Sequence, residues 1–192
     1  MALTWRARLR AGERVVVLGA GGAVGQAGLG AARVRGAARV VGVCRSAAAA
    51  DRARRAGADE VVLTGADGDE LAAAISAAAD GPVDVVLDPV FGPVAAAAVR
   101  ALGPGGRLVN LGGAAGDAAE FSSALLRSRS IDVLGYTNNA LSAAQRAQAL
   151  ARVLAHAATG AIAVDAEVRP LAEVGAAWAA TAAGGLRQVL VP

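Results

Sequence analysis

The residues of this 192-residue sequence best suited to chemistry are a run of glycines. Val15-Val16-Val17-Leu18 leads into Gly19-Ala20-Gly21-Gly22-Ala23-Val24-Gly25, so a β-branched run ends in a glycine-rich turn and then a helix-forming stretch. Strand, tight turn and helix in that order is the setting in which such glycines meet phosphate. Gly19 permits the turn. Gly21 and Gly22 let the backbone approach a pyrophosphate with no Cβ in the way, and Gly25 lets the helix pack closely. A helix opening at Ala23 offers N–H groups without intrahelical partners and the positive end of its dipole. The spacing is GxxGxxG (Gly19, Gly22, Gly25) rather than GxGxxG. Dinucleotide binding is the expectation, and a merely flexible turn the alternative.

A second position bears on which dinucleotide. Nicotinamide-adenine dinucleotide sites usually carry an acidic residue about 20 positions beyond the glycines, on the ribose 2′-hydroxyl. Here Cys44-Arg45-Ser46 stands at that distance, with no carboxylate. An arginine attracts a 2′-phosphate by charge-assisted hydrogen bonds, where a carboxylate repels it. Arg45 and Ser46 therefore favour NADP(H). The bland alternative is a surface arginine beside a serine that only caps a helix.

Other chemistries are weakly represented. All 19 basic residues are arginine, which removes P-loop and Schiff-base mechanisms that need lysine. Cys44 and His156 are single, so a Cys/His zinc site within the chain is excluded. Tyr136 is the only tyrosine, and without a lysine the Tyr-x-x-x-Lys pair of short-chain dehydrogenases cannot form. A methyltransferase usually wants an acidic end to the second strand, which Cys44 is not. Asp88 closes a strand, where a turn or binding role outranks general base catalysis. The charge of +3 is modest and aromatics are 3%, too few for base-stacking platforms, so nucleic-acid binding is not expected. Arg52, Arg54 and Arg55 read as a solvated helix face. No apolar run is long enough to span a membrane, residues 1–8 lack the apolar core and cleavage site of a signal peptide, and a cytoplasmic location is the expectation.

The elements that must hold these residues alternate, which predicts an α/β fold with a parallel sheet. Strands are expected at 14–19, 39–44, 60–63, 83–88, 107–111 and 131–136, read from short β-branched runs of the kind buried on both faces. Helices fit at 23–35, 46–55 and 67–79, and from Pro93 to Leu102. This is a Rossmann-type doubly wound six-stranded parallel sheet of order 3-2-1-4-5-6. A C-terminal helix-strand extension follows: a helix at 141–158, an extended segment at 162–168, a helix at 171–182 and a strand at 186–191. The sixth strand is an apolar sheet edge guarded by Asp132 alone, which invites pairing with a second copy.

In order and spacing, several segments resemble the medium-chain dehydrogenase/reductase superfamily, above all its quinone oxidoreductase and zinc-type alcohol dehydrogenase-like branches. They are Ala11-Gly12-Glu13-Arg14 leading into the glycine loop, Gly36-Ala37-Ala38-Arg39-Val40-Val41-Gly42-Val43 and Ala56-Gly57-Ala58-Asp59-Glu60-Val61-Val62. Val83-Asp84-Val85-Val86-Leu87-Asp88-Pro89-Val90, Gly105-Gly106-Arg107-Leu108-Val109, Arg169-Pro170-Leu171-Ala172-Glu173-Val174 and Gln188-Val189-Leu190-Val191-Pro192 follow. Phe91 departs from the glycine common after the Asp-Pro-Val stretch.

The resemblance implies an oxidoreductase that moves hydride between NADP(H) and a quinone, enone or carbonyl. It implies a leading helix (1–11), a dinucleotide-binding domain (12–138) and a segment (139–192) that returns to a GroES-like catalytic domain, expected to be separate from this chain and to hold most zinc ligands. Gly19, Gly21, Gly22, Ala23 and Val24 would face the pyrophosphate, with Arg45 and Ser46 at the adenosine phosphate. Asp88 and Pro89 would line the crevice. Leu111, Gly112, Gly113, Tyr136, Thr137 and Asn138 would flank the nicotinamide. Family members commonly dimerise through the sixth strand, so a homodimer is expected. A non-catalytic NADPH-binding module, acting as sensor, scaffold or split-reductase subunit, is the alternative function.

Overall fold

The computed structural model describes residues 1–65 and 67–192. Its first strand, β1 (Arg14–Leu18), shows how the sequence builds the sheet. Val15 and Val17 point into one apolar cluster, and Val16 and Leu18 into another on the opposite face. Four successive buried residues therefore need cover on both sides, which only the interior of a doubly wound sheet supplies. Helices α1 (Ala23–Val34) and α2 (Ala47–Arg55) cover the first face with Leu29, Ala32, Ala50 and Ala53. Helices α3 (Gly68–Ala79) and α4 (Gly92–Ala101) cover the second with Leu71, Ile75, Ala95 and Ala98. Each fully buried leucine or valine contributes about 1.5–3 kcal/mol.

Strands β2 (Arg39–Cys44), β3 (Glu60–Leu63), β4 (Val83–Asp88), β5 (Leu102–Asn110) and β6 (Asp132–Gly135) complete the sheet. The order is β3-β2-β1-β4-β5-β6, all parallel, as the crossover argument requires. Local capping agrees with the sequence. The Ser46 hydroxyl accepts from the Ala49 N–H at 3.3 Å to open α2, and Asp67 accepts from the N–H groups of Asp69 and Glu70 to open α3.

Some boundaries differ from expectation. The opening segment holds one wide helical turn, Ala2–Arg6, not a helix reaching residue 11. It is tied down from the sheet: Arg107 of β5 donates to the Ala7 carbonyl and makes a two-pronged pair with Glu13 at 3.0 and 2.9 Å. Strand β5 begins at Leu102, because the Gly103-Pro104-Gly105-Gly106 stretch is absorbed as an irregularity between the pairs Val83–Leu102 and Val85–Arg107. Helix α5 (Ser123–Arg129), unforeseen in the sequence, is opened by the Ser122 hydroxyl.

Beyond a short turn at Asn138–Ala140, the chain forms α6 (Ala143–Ala158), begun by a capping box between Ser142 and Gln145. Strands β7 (Ala166–Pro170) and β8 (Arg187–Val191) then pair with each other in parallel, joined by α7 (Val174–Ala182). The expected extended segment thus lies about four residues later than the sequence pattern suggested. Among the described residues this two-stranded sheet has no further strand. No helix of the described residues is long and apolar enough to cross a membrane.

Candidate dinucleotide site

The glycine loop lies where β1 ends and α1 begins. Gly19 has φ of +60°, in the left-handed region that favours glycine. A Cβ at Gly21 would lie 2.5 Å from the Ala49 side chain and carbonyl, so Gly21 is small because α2 presses on it. A Cβ at Gly25 would lie 2.3 Å from the Gly19 carbonyl, so Gly25 lets α1 fold back onto its own loop. The close helix-to-sheet contact falls instead at Gly28, against Leu87 and Val17. The two roles inferred from spacing are therefore reassigned: glycine at 21 and 25 serves packing within the loop and against α2.

The loop's free donors are clear from its hydrogen bonds. The Gly22 N–H donates to the Gly19 carbonyl at 2.9 Å and is spent. The first intrahelical bond runs from the Gln26 N–H to the Gly22 carbonyl. Ala23, Val24 and Gly25 are the first three helical residues, whose N–H groups have no intrahelical acceptor. They point, with the helix dipole, at an open cleft.

That cleft has a volume of 660 Å³, within the roughly 300–1,000 Å³ of small-molecule sites. Eight sequence-predicted residues line it: Gly19, Gly21, Gly22, Ala23, Val24, Arg45, Ser46 and Pro89. The cleft lies at the C-terminal ends of β1, β2 and β4, where open α/β sheets bind ligands. Arg45 is exposed, and among the described residues its guanidinium has no hydrogen bond or ion pair. Ser46 lines the cleft and also caps α2, so the two readings of it are compatible.

The other predicted residues lie elsewhere. Asp88 is fully buried and does not line the cleft. Its carboxylate accepts from the N–H groups of Val90 at 3.0 Å and Phe91 at 2.7 Å, and from the Asn110 amide at 3.2 Å. Burial pushes its carboxyl above the ordinary value, although these donors pull the other way. It is a turn-forming residue. The loop after β5 reaches the cleft through Ala114 and Ala115, not through Leu111, Gly112 and Gly113. Those three are held back beside β4, where Asn110 donates to the Gly112 carbonyl at 2.7 Å. Tyr136, Thr137 and Asn138 form a turn of their own, with the Tyr136 hydroxyl donating to Asn138 at 2.7 Å.

The sequence reading missed several cleft residues. Arg52 is not on a solvated face: its Nε donates to the Gly21 carbonyl at 2.9 Å and the side chain lines the cleft. Arg54 pairs with Asp51 and Arg55 with Asp165, which leaves Arg52 the member of that group facing the cleft without an acid partner. From the C-terminal segment come Asp165, the turn Ala183–Leu186 and Arg187. No periodicity could have joined residues 26, 52, 165 and 187, which the fold alone brings together.

Residues 23–155 match the family described as zinc-binding dehydrogenase. The match covers most of the chain, which belongs to this family and, with it, to the medium-chain dehydrogenase/reductase superfamily of oxidoreductases. Among solved structures, AibC is 30% identical with a TM-score of 0.85, matched over 100% of this chain and 52% of its own. The quinone oxidoreductase of Thermus thermophilus, also solved with NADPH, is 31% identical with a TM-score of 0.76, over 93% of this chain and 56% of its own. A curated relative, the spectinabilin polyketide synthase system protein NorB of Streptomyces orinoci, is 42% identical over 106 residues. That match covers 55% of this chain and 5% of NorB. The chain thus spans about half the length of the solved structures and a small part of NorB. The zinc of the family's name does not fit the residues here. Among the described residues no three His, Cys, Asp or Glu side chains gather; Cys44 is buried at the end of β2 and His156 lies on α6.

Proposed function

We propose that the cleft binds NADP(H), and that the chain is the cofactor-binding part of an oxidoreductase that passes hydride to a quinone, enone or carbonyl substrate. One observation carries this reading. Three helix-N-terminal N–H groups meet in one cleft with the guanidinium groups of Arg45, Arg52 and Arg187, which have no acid partners among the described residues. Such a site suits a ligand with a pyrophosphate and a further phosphate. The end of β2 carries no carboxylate to repel the latter. The NADPH complex of the Thermus thermophilus relative supports the same cofactor. NADPH supplies the hydride; the residues of this chain hold its phosphates and orient it across the strand ends. The likeness to part of a polyketide synthase protein favours an enone or carbonyl over a quinone, because polyketide chains carry carbonyl groups.

The partner expected to complete the site is a separate catalytic domain. Support comes from the apolar side chains left exposed on the C-terminal segment, among them Val168, Leu171 and Trp178. Residues 1–11, 12–138 and 139–192 then act as leader, cofactor domain and returning segment. We read β6, with Val133 exposed, as the seam of a two-fold homodimer, and the cytoplasm as the place of work. A monomer at high micromolar concentration in sedimentation would rule the dimer out.

A non-catalytic NADPH-binding module is the second reading. It is favoured by the Tyr136 hydroxyl being engaged with Asn138 and by Tyr136 not lining the cleft. NADPH oxidation by the purified chain separates the two. Binding with very slow enone or quinone reduction, accelerated when a catalytic domain is supplied, is the expected result. Rapid turnover by the chain alone means that the active site is complete within these residues. Binding with no turnover under either condition favours the module.

A further inference from the structure

Gln26 is one of two buried polar residues among those described, at 3% exposure, and the cofactor reading gives it no role. Its side-chain amide uses both ends. Nε2 donates to the Gly21 carbonyl at 3.0 Å, and Oε1 accepts from the Asp165 N–H at 2.8 Å. The first bond reaches the phosphate-facing loop, and the second reaches a segment 139 residues further along the chain.

The bond to Gly21 acts on a defined peptide. The Gly21 carbonyl and the Gly22 N–H are two ends of one planar unit. Gln26 and Arg52 both donate to the carbonyl, and the N–H donates to the Gly19 carbonyl. The plane is fixed from both sides, and the unpartnered N–H groups of Ala23, Val24 and Gly25 follow directly after it. The C-terminal segment lies on α1 closely enough that a Cβ at Gly30 would stand 2.7 Å from the Ala161 carbonyl. It ends its run at Asp165, whose carboxylate takes Arg55 of α2 at 2.6 Å.

We propose that Gln26 is a positioning residue that couples the seating of the Asp165 segment to the loop's grip on a pyrophosphate. The coupling rests on the cofactor reading above for its ligand, but not for its structural half. An amide is required because it must donate to one segment and accept from the other. Glutamate keeps only the acceptor, and methionine keeps neither.

The test is Gln26→Met, titrated with NADPH, ADP-ribose and 2′-AMP. The first two carry a pyrophosphate and the third does not. Affinity for NADPH and ADP-ribose should fall about tenfold, roughly the worth of one buried hydrogen bond, while 2′-AMP is unchanged. Ligand binding should slow amide exchange at Asp165 in the natural chain and not in the variant. Equal losses for all three ligands, unchanged affinities, or retained slowing at Asp165 would overturn the proposal. Should the natural chain bind neither NADPH nor ADP-ribose, the cofactor reading fails, and the coupling is judged without ligand. There, Gln26→Met must speed exchange at Asp165 and at Gly22, whose N–H donates to the Gly19 carbonyl, together. Gln26→Glu, should the methionine variant not fold, must speed it at Gly22 while leaving Asp165 protected. A change confined to Asp165 in either variant refutes the coupling.

Discussion

Strands β1 and β8 are written in nearly the same letters, RVVVL and RQVLV, and meet opposite fates. In β1 four of five residues are buried; in β8 exposed and half-buried residues alternate, and none is buried. The difference lies in the neighbours. β1 pairs with β2 and β4 and carries helices on both faces, whereas β8 pairs with β7 alone. The β-branched pattern makes a strand in either place, but burial must come from other elements. The six-stranded sheet supplies its own cover. In the segment after Asn138 most side chains face outward, Leu141 and Ala177 being buried and Trp178 78% exposed. A six-stranded sheet that closes its own core, joined to a segment that does not, is the physical content of the contrast.

The largest effect expected from the contrast comes from paired truncations. Leu108→Ala, at a fully buried position on β5, should destabilise by about 2–5 kcal/mol. Trp178→Ala removes a larger side chain and should stay within about 0.5 kcal/mol. Denaturant midpoints measure both. Comparable losses would mean that the C-terminal segment shares the core after all. Amide exchange offers the same comparison without mutation, with β7 and β8 expected to exchange well before β1 and β4.

A smaller effect is electrostatic. Burial pushes the Glu13 carboxyl up, but hydrogen bonds from Arg107 and the Arg10 N–H hold it below its ordinary value. Asp59 behaves alike, with burial outweighed by the Val40 N–H and Arg33. A depressed folded value means that their contribution is full above the ordinary carboxylate range and lost as pH falls through the depressed one. Glu13→Gln should cost about 1.5–3 kcal/mol at neutral pH and flatten the acid side of the stability curve. An unchanged acid slope would show that the Arg107 pair does not tie the opening segment to the sheet.

Phe91 gives the smallest and most local test. Its φ of +58° with ψ of −157° is a conformation that disfavours any side chain, which accords with the glycine that the family resemblance led one to expect there. Its ring packs edge-on to Phe121 at 6.1 Å. Phe91→Gly and Phe91→Ala lose the ring equally, but only glycine relieves the backbone. The glycine variant should be about 1 kcal/mol more stable than the alanine variant. Equal stabilities would place the strain elsewhere.

How far the sequence carries the account depends on what each feature needs. β2, β3 and β4 are legible to the residue because a short β-branched run between glycines has few other uses. α5 is not, since seven residues without a buried side chain leave no apolar period to read. The Gly-Pro-Gly-Gly stretch reads as a stop, yet it lies within β5, because partner Val83 holds Leu102 in register. The glycine loop and Arg45 are legible because their signal is local. Gln26, Arg52, Asp165 and Arg187 carry no motif, and their meaning comes from a packing of α1, α2 and the distant segment that no local pattern encodes. Asp88 is legible in part: of the turn and binding roles expected of an acid at a strand end, its hydrogen bonds to Val90, Phe91 and Asn110 make the turn, while its burial depends on elements distant in sequence.

The central claim is that this cleft grips NADPH through a helix N-terminus and unpaired guanidinium groups, and calorimetric titration tests it most directly. The natural chain should bind NADPH more tightly than NADH, and Arg45→Ala should remove most of the difference, a change of about 1.5–3 kcal/mol, or roughly 10- to 150-fold. NADH affinity should be nearly unaffected by that substitution. Equal binding of the two cofactors by the natural chain, or no binding of either, would contradict the account.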